Sequence, residues 1–159
     1  MTEIRKNIIS VITVCYNAKS NLEKTILSVL NQTYSNIEYI IIDGGSTDGT
    51  IDIIKRYDDK ITYWQSEPDN GIYDAMNKGI QKANGEWINF MNAGDLFAST
   101  MILQQMLDAI KPGVRILRGN IIRIYPKFRV KSVGVTAQNP SLIDMFDNTF
   151  HHQACFIQT

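Results

Sequence analysis

The alternation of short apolar segments with segments of helical periodicity constrains the fold of this chain more than any other sequence feature. Strand-like segments, rich in β-branched and aromatic residues and mostly lacking the alternation of a half-exposed strand, span residues 8–15, 37–42, 61–65 and 86–91. Helical spacing of apolar residues marks residues 22–30, 50–57, 72–82 and 100–110. This alternation predicts βαβ units and an α/β fold with a mostly parallel sheet flanked by helices.

Local signals refine two helix ends. Ser20 stands three residues before Glu23, which is the spacing of a capping box at a helix start. Asn84-Gly85 predicts a left-handed C-cap after the third helix. The later part of the chain indicates two strands that can pair antiparallel and one short helix, at residues 115–125, 128–135 and 141–148.

Polar residues follow three of the predicted strands, each at the carboxyl end of its strand. They are Tyr16-Asn17 after the first strand, Asp43 to Asp48 after the second and Asn92 to Asp95 after the fourth. Right-handed crossovers place the carboxyl ends of parallel strands along one edge of a sheet, which is where such folds bind ligands. We therefore expect the three segments to form one site.

Two of these segments have a chemistry suited to a nucleotide. Asp43 can accept hydrogen bonds from a planar donor edge such as a base imide, and Tyr16 offers an aromatic face for stacking. Gly44-Gly45 keeps the loop thin enough for a ligand to approach its backbone. Ser46 and Asp48 have a simpler interpretation as caps of the helix that follows.

Asp95 is the candidate metal ligand, because a hard divalent cation prefers carboxylate oxygen and takes its other ligands from water or phosphates. A cation there would neutralise the charge that builds on a departing diphosphate. The alternative is that Asp95 is a helix cap or a surface charge. Lys78 has two interpretations, as a phosphate contact or as a solvated helix lysine. The pair His151-His152 stays open between a general base, metal ligands and loop residues.

Composition limits the classes of partner and compartment. The 16 basic and 16 acidic residues cancel, so no overall field indicates a nucleic acid. Two cysteines, Cys15 and Cys155, are too few for a disulfide framework and favour a reduced compartment. A length of 159 residues fits one domain, and no apolar run approaches the roughly 20 residues that span a bilayer. We expect a cytoplasmic protein, with peripheral contact at the inner face of a membrane left open.

Five motifs occur in an order that carries a family resemblance. They are Ser10 to Asn17, Ile42 to Thr50, Asp69 to Ile80, Asn84 to Glu86 and Asn92 to Asp95. Together they resemble the family 2 glycosyltransferases, inverting enzymes with an A-type, Rossmann-like domain for a nucleotide-diphospho-sugar donor. The resemblance implies a donor-binding half over residues 1–97 and the start of an acceptor-side half over residues 98–159.

The resemblance also implies roles for individual positions. The positions expected to contact the donor are Val14, Cys15, Tyr16, Asn17, Asp43, Ser46, Asp48, Asp69, Asn70, Gly71, Ile72, Asn77, Lys78, Asn92, Ala93, Gly94 and Asp95. Tyr16 would face the base, Asp43 would hold the base edge, and the residues from Asp69 to Lys78 would lie near the ribose and the diphosphate. Asp95 would ligate a divalent cation, manganese or magnesium, and His152 would lie on the acceptor side.

The chain departs from the family pattern in two respects. Acids are expected at Asn92 and Gly94, so Asp95 would be the remaining metal ligand, and a second aspartate is expected separately at Gly44. The catalytic base is expected beyond Thr159, which predicts that this chain is a truncated donor half.

The function that the resemblance implies is transfer of a sugar, with inversion, from a nucleotide-diphospho-sugar to a saccharide or lipid-linked acceptor. Bacterial cell-envelope polysaccharide synthesis is the expected setting. The alternatives are a nucleotide-sugar-binding fragment without turnover and a nucleotidyltransferase. The latter would require a first loop rich in glycine and basic residues, whereas residues 13–20 contain no glycine and only Lys19.

Overall fold

A computed structural model describes residues 5–124, 129–132 and 154–159. The strands in these residues are β1 (Arg5–Cys15), β2 (Ile37–Asp43), β3 (Tyr63–Ser66), β4 (Gly85–Phe90), β5 (Ile116–Arg118), β6 (Ile121–Ile124), β7 (Arg129–Ser132) and β8 (Cys155–Gln158). The helices are α1 (Leu22–Leu30), α2 (Thr50–Arg56), α3 (Ile72–Lys82) and α4 (Ile102–Ala109), with a 3-10 turn at Asp58–Lys60. The elements predicted up to residue 110 are all present. Their ends differ by at most two residues, except that β1 begins three residues earlier than predicted.

The main sheet contains six strands in the order β3-β2-β1-β4-β8-β5. Strands β3, β2, β1 and β4 run parallel, whereas β8 runs antiparallel to both β4 and β5. Strands β6 and β7 form a separate antiparallel pair. The mostly parallel sheet predicted from the alternation is therefore confirmed. The single strand predicted over residues 115–125 is instead two strands, β5 and β6, which pair antiparallel with β8 and β7 respectively.

The sheet is buried on both faces, which explains why its strands lack a polar and an apolar side. On β1, Ile9 and Val11 belong to one core cluster, whereas Ile12 and Val14 belong to the other. Helices α1, α2 and α4 supply the first cluster with buried aliphatic side chains, and α3 supplies the second with Ala75 and Met76. Helices therefore cover both faces of the sheet, and the loops at the ends of the strands are left accessible.

The predicted capping box at Ser20 is wrong. Helix α1 begins at Leu22 after Asn21, and no side chain caps its first turn. The Glu23 carboxylate, which the capping box would use, instead accepts a hydrogen bond from the Tyr57 hydroxyl at 2.9 Å and pairs with Arg56 at 3.3 Å. A contact with a neighbouring helix end has replaced the local cap.

The predicted left-handed cap at Asn84-Gly85 is also wrong. Helix α3 ends at Lys82, Ala83 after it is extended, and Gly85 is already the first residue of β4. Glycine is required there for a different reason, since a Cβ atom at position 85 would lie 2.6 Å from Ser10 Oγ and 2.7 Å from the carbonyl oxygen of Ile8. Close packing of β4 against β1 selects this glycine.

Two of the sequence predictions remain to be placed. No helix among the residues that the structure describes is long and apolar enough to cross a membrane. The helix predicted over residues 141–148 and the pair His151-His152 lie outside the described residues.

Candidate nucleotide-binding edge

The four parallel strands end side by side and carry their connecting loops on one edge of the sheet. The register pairs Cys15 with Asp43 and Asp43 with Ser66, so β1, β2 and β3 stop at the same level. On the other side of β1, the chain after β4 continues the pairing, because the N–H of Ala93 donates to the carbonyl of Val14 at 3.1 Å. The segments 16–17, 43–48, 66–71 and 92–95 therefore lie along one edge, which we call the rim.

A topological switch point lies within this rim. From β1 the chain passes outward to β2 and β3, whereas β4 lies on the opposite side of β1. In open α/β sheets the crevice at such a point binds ligands, because the two connecting loops diverge there. Tyr16 follows β1 and the turn Asn92 to Asp95 follows β4, so both flank the switch point.

Asp43 is completely buried, and its carboxylate is occupied by the protein itself. Oδ2 accepts hydrogen bonds from the N–H of Gly45 at 3.1 Å, the N–H of Ser46 at 2.9 Å and the hydroxyl of Ser66 at 2.6 Å. Oδ1 accepts the hydroxyl of Ser46 and the Cys15 thiol. A carboxylate offers about four lone-pair sites, so these donors saturate it. In this arrangement Asp43 fixes the loop after β2.

The first and second loops of the rim are joined by side chains that accept backbone hydrogen bonds. The contacts run from Asn17 N–H to Ser46 Oγ (2.7 Å), Thr47 N–H to Asn17 Oδ1 (3.0 Å), Ala18 N–H to Thr50 Oγ1 (2.8 Å) and Lys19 N–H to Asp48 Oδ2 (3.0 Å). Asn17 adopts a left-handed conformation with φ of 47°, which asparagine tolerates better than most residues. The two loops therefore form one rigid wall.

Asp48 combines this role with a local one at the start of α2. Its Oδ1 accepts the N–H and the hydroxyl of Thr50, and the Thr50 hydroxyl is the main reason why the pKa of Asp48 lies below its ordinary value of 3.8. Gly49 is the N-cap residue of α2, and of the two residues predicted as caps only Asp48 bonds the start of the helix, whereas Ser46 bonds Asp43 and Asn17. Protein groups orient both side chains.

Cys15 lies at the end of β1 with a buried thiol that donates to Asp43 Oδ1 at 3.5 Å. Burial first, and the adjacent Asp43 carboxylate second, raise the pKa of this thiol far above its ordinary value. A thiol held neutral in this way is a poor nucleophile and a poor metal ligand. Cys15 is therefore part of the wall behind the rim.

Tyr16 is the exposed aromatic group of the first loop. Tyr16 is 66% exposed, whereas the preceding residues Val14 and Cys15 are buried. An aromatic ring of this exposure at the end of a buried strand offers a face for stacking against a planar ligand.

The third loop brings a second carboxylate to the rim. Asp69 Oδ1 accepts the N–H of Gly71 at 2.8 Å, while a Cβ atom built on Gly44 would lie 2.6 Å from Asp69 Oδ2. The carboxylate of Asp69 thus lies against the backbone of Gly44, and a side chain at position 44 would displace it. This contact explains why a glycine stands there.

Lys78 is occupied by the third loop and its own helix. Its ammonium group lies 2.8 Å from Glu67, 3.6 Å from Asp74 and 3.3 Å from the carbonyl oxygen of Pro68. The hydrogen bond with Glu67 is the main reason why the pKa of Lys78 is raised. Lys78 therefore links the loop before α3 to the helix, and a ligand phosphate would have to compete with two carboxylates for it.

The other predicted contacts near α3 lie as follows. Asn77 and Ile72 are exposed on α3, and Asn70 donates its N–H to Asp74 Oδ2 at 3.0 Å.

The turn from Asn92 to Asp95 is compact. The N–H of Asp95 donates to the carbonyl of Asn92 at 2.9 Å, and Gly94 has a φ of 102°, which favours glycine. Asp95 is half-buried and supplies hard oxygen ligands of the type that Mg²⁺ and Mn²⁺ bind. Among the described residues, no three acidic, histidine or cysteine side chains come together as a metal cage. The donors present therefore fit a cation that also takes oxygens from a bound diphosphate.

Sequence reasoning missed three residues that organise the rim, namely Thr25, Thr50 and Ser66. Ser66 carried a usable signal, because it directly follows the strand predicted over residues 61–65 and is the last residue of β3 in the structure. The roles of Thr25 and Thr50 depend on contacts with segments far away in the sequence.

Comparison with known proteins identifies a family. The family model described as "Glycosyl transferase family 2" matches residues 10–155. An uncharacterized glycosyltransferase of Mycobacterium tuberculosis is 41% identical over 103 residues, which cover 64% of this chain and 39% of that protein. The Escherichia coli UDP-Glc:alpha-D-GlcNAc-diphosphoundecaprenol beta-1,3-glucosyltransferase WfaP is 37% identical over 100 residues, which cover 62% of this chain and 40% of WfaP. The chain thus spans well under half the length of these relatives.

A solved structure shares the fold. The mannosyltransferase PcManGT from Pyrobaculum calidifontis, solved in complex with GDP-Man and Mn²⁺, matches with a TM-score of 0.64 and 23% sequence identity. The match covers 70% of this chain and 34% of PcManGT. The A-type fold expected from the sequence is confirmed by this similarity.

Proposed function

This chain belongs to glycosyl transferase family 2, and from that premise we propose that it binds a nucleotide-diphospho-sugar at the rim and serves sugar transfer to a saccharide or lipid-linked acceptor. The observation that carries the proposal is the arrangement at the switch point. An exposed aromatic ring, Tyr16, follows one of two adjacent parallel strands, and a half-buried carboxylate, Asp95, follows the other. The base of a nucleotide needs an aromatic face for stacking, and its diphosphate, at the other end, needs its negative charge compensated.

The rim residues divide by role in this proposal. Tyr16 stacks on the base, with the backbone from Val14 to Asn17 lining the nucleoside. Asp43, Ser46 and Asp48 act through the shape of the wall, because their polar atoms are bonded to protein donors. Asp69 to Ile72 face the ribose and diphosphate, and Asn77-Lys78 lies behind that loop. Asn92, Ala93 and Gly94 form the turn that carries Asp95.

A divalent cation, manganese or magnesium, is the cofactor that we propose at Asp95. When bound, it would neutralise the negative charge of the diphosphate as a leaving group. Asp95 would hold it with one or both carboxylate oxygens, and the phosphate oxygens of the donor would supply further ligands. Because the described residues offer a single carboxylate at this turn, we expect cation binding to depend on the nucleotide.

The reaction that we propose is a single displacement with inversion. The acceptor hydroxyl oxygen forms a bond to the anomeric carbon while the bond from that carbon to the diphosphate breaks, and the electron pair leaves with the diphosphate. The acceptor proton passes to a base, for which we assign no residue of this chain. We place residues 1–97 on the donor side and residues 98–159, including His152, on the acceptor side.

The setting that we propose is cytoplasmic assembly of a bacterial cell-envelope polysaccharide. Its support is the name of WfaP, which specifies a UDP-sugar donor and a lipid-diphosphate-linked sugar acceptor for that relative. A lipid-linked acceptor would bring the protein into peripheral contact with a membrane. We propose no nucleic-acid partner, since the formal net charge is zero.

Calorimetric titration tests this function directly. UDP, GDP and dTDP are titrated into the protein with and without Mn²⁺, and the corresponding monophosphates serve as controls. We expect at least one diphosphate to bind, with a tighter dissociation constant in Mn²⁺, and its monophosphate to show little gain from the metal. Failure of all three diphosphates to bind would overturn the proposal. Binding without release of diphosphate from the sugar nucleotide, when acceptors are supplied, would reduce it to a binding function without turnover.

A further inference from the structure

A polar stripe on α1 and just beyond its end holds the segment that follows β4. Thr25 and Ser28 lie three residues apart on one side of α1, and Gln32 lies two residues after Leu30, the last residue of the helix. Each contacts the backbone between residues 94 and 103. Ser28 Oγ accepts the N–H of Phe97 at 3.4 Å, and the side chain of Gln32 donates to the carbonyl of Ser99 at 2.8 Å and accepts the N–H of Leu103 at 3.2 Å.

Thr25 is the member of this stripe that contacts the turn at Asp95. Its hydroxyl accepts the N–H of Gly94 at 2.9 Å and donates to the carbonyl of Asp95 at 3.0 Å. One hydroxyl therefore bonds the peptide group that precedes Gly94 and the peptide group that follows Asp95, so it holds the two ends of this short segment. Thr25 is completely buried, so no solvent competes for either bond.

The surroundings of Thr25 leave it little freedom to adapt. Leu22, Ile26 and Val29 of the same helix are completely buried in the core. The β-branched side chain of threonine is itself confined to few rotamers in a helix. The position of the Thr25 hydroxyl is thus set by the packing of α1 on the sheet.

We propose that Thr25 is a positioning residue that sets the geometry of Asp95 for binding the diphosphate and its cation. The inference rests on the proposed function, because it assigns Asp95 that role. A functional carboxylate must be held to within about 0.5 Å of its productive position, and residues behind it provide that accuracy. Loss of such a supporting contact commonly lowers metal affinity by roughly 10-fold to 100-fold.

The test compares substitutions that differ only in the hydroxyl. Thr25→Val removes the hydroxyl and keeps the shape, whereas Thr25→Ser keeps the hydroxyl. Thr13→Val is the matched control, because Thr13 is equally buried and its hydroxyl bonds the Tyr39 hydroxyl at 3.0 Å within the core. Two readouts are needed, namely the hydrogen exchange of the Gly94 amide by NMR and the gain in UDP, GDP or dTDP affinity that Mn²⁺ produces.

We expect Thr25→Val to speed exchange of the Gly94 amide and to reduce the gain from Mn²⁺ by roughly 10-fold, with metal-free affinity unchanged. Thr25→Ser should match the unmodified protein in both the exchange of the Gly94 amide and the gain from Mn²⁺. Thr13→Val should lower only the thermal midpoint. If Asp95→Asn abolishes the gain from Mn²⁺ but Thr25→Val does not, the role of Thr25 is refuted while the proposed function stands. If the unmodified protein binds none of the three diphosphates, the proposed function fails and this inference fails with it.

Discussion

The Ser66 hydroxyl donates a hydrogen bond of 2.6 Å to the carboxylate of Asp43, which joins the end of β3 to the end of β2. The same carboxylate accepts two backbone N–H groups of the loop that follows β2. Asp43 therefore serves as an internal anchor for two loops, and this is a different role from the base contact that its position alone indicates. A ligand at the rim would meet a surface that Asp43 has shaped.

The first prediction concerns this anchor. Asp43→Asn should lower the free energy of unfolding by about 2–3 kcal/mol, because an amide NH₂ would face buried donors and leave them unsatisfied. Urea denaturation followed by circular dichroism measures the change. Asp59→Asn, an exposed acid in the 3-10 turn, is the matched control and should stay within about 0.5 kcal/mol of the parent. Equal effects of the two substitutions would contradict the anchoring role.

The second prediction concerns the contact between Gly44 and Asp69. Gly44→Ala should cost about 1 kcal/mol of stability, because the new Cβ atom would meet Asp69 Oδ2 at 2.6 Å. In an Asp69→Ala background the same change should be neutral or slightly stabilising, since alanine reduces the entropy of the unfolded chain. A double-mutant cycle by urea denaturation gives the coupling. The same cost in both backgrounds would show that the two residues do not interact.

Much of the fold could be predicted because its determinants are local. A buried strand such as Ile37–Asp43 contains an uninterrupted apolar run, from Tyr39 to Ile42, and a helix such as Ile72–Lys82 shows its period within a few turns. The shared edge then follows from the handedness of the crossovers. The two wrong local predictions, at Ser20 and at Gly85, share a cause. In each case a contact with a distant segment, at Tyr57 or at Ser10, outweighs the local motif.

The site could be predicted from the sequence less well than the fold, because the type of a residue does not indicate which atoms its side chain will contact. Asn17 and Thr47 are far apart in the sequence, yet they are hydrogen-bonded in the rim. Lys78 is paired with Glu67 and Asp74, which a single sequence cannot distinguish from a lysine that is free to bind phosphate. The sequence thus predicted which residues lie at the rim. The structure was needed to separate those that hold the loops together from those that can contact a ligand.

The third prediction concerns acid stability. The pKa of Asp48 is lowered in the folded state, mainly by the Thr50 hydroxyl, so its ionised form favours folding. That contribution is present above the ordinary value of 3.8 and is lost as the pH falls below it through the folded pKa. Asp48→Asn should therefore have a lower thermal midpoint than the parent at pH 7. At the lowest pH the difference between the two midpoints should be smaller. Thermal scans from about pH 7 to pH 2.5 measure this difference.

A second substitution isolates the cause of that pH dependence. Thr50→Val removes the hydroxyl that contributes most to the pKa shift of Asp48, and it also removes an acceptor for the N–H of Ala18. We expect this variant to lose less stability than the parent between pH 5 and pH 2.5. An unchanged difference between parent and variant across this range would contradict the assignment to Thr50.

The last prediction separates the two ends of the proposed nucleotide site. Tyr16→Ala should weaken binding of a nucleoside diphosphate by about 1–3 kcal/mol, equally with and without Mn²⁺, because stacking on the base does not involve the metal. Tyr16→Phe keeps the ring and should bind almost as the parent does. Asp95→Asn should abolish the gain from Mn²⁺, since an amide is a weaker ligand for a hard cation than a carboxylate, and should not weaken metal-free binding, because it removes a negative charge beside the diphosphate. Calorimetric titrations of these variants measure both quantities. If Tyr16→Ala changed only the Mn²⁺-dependent part, or Asp95→Asn only the metal-free part, the orientation of the nucleotide along the rim would have to be reversed.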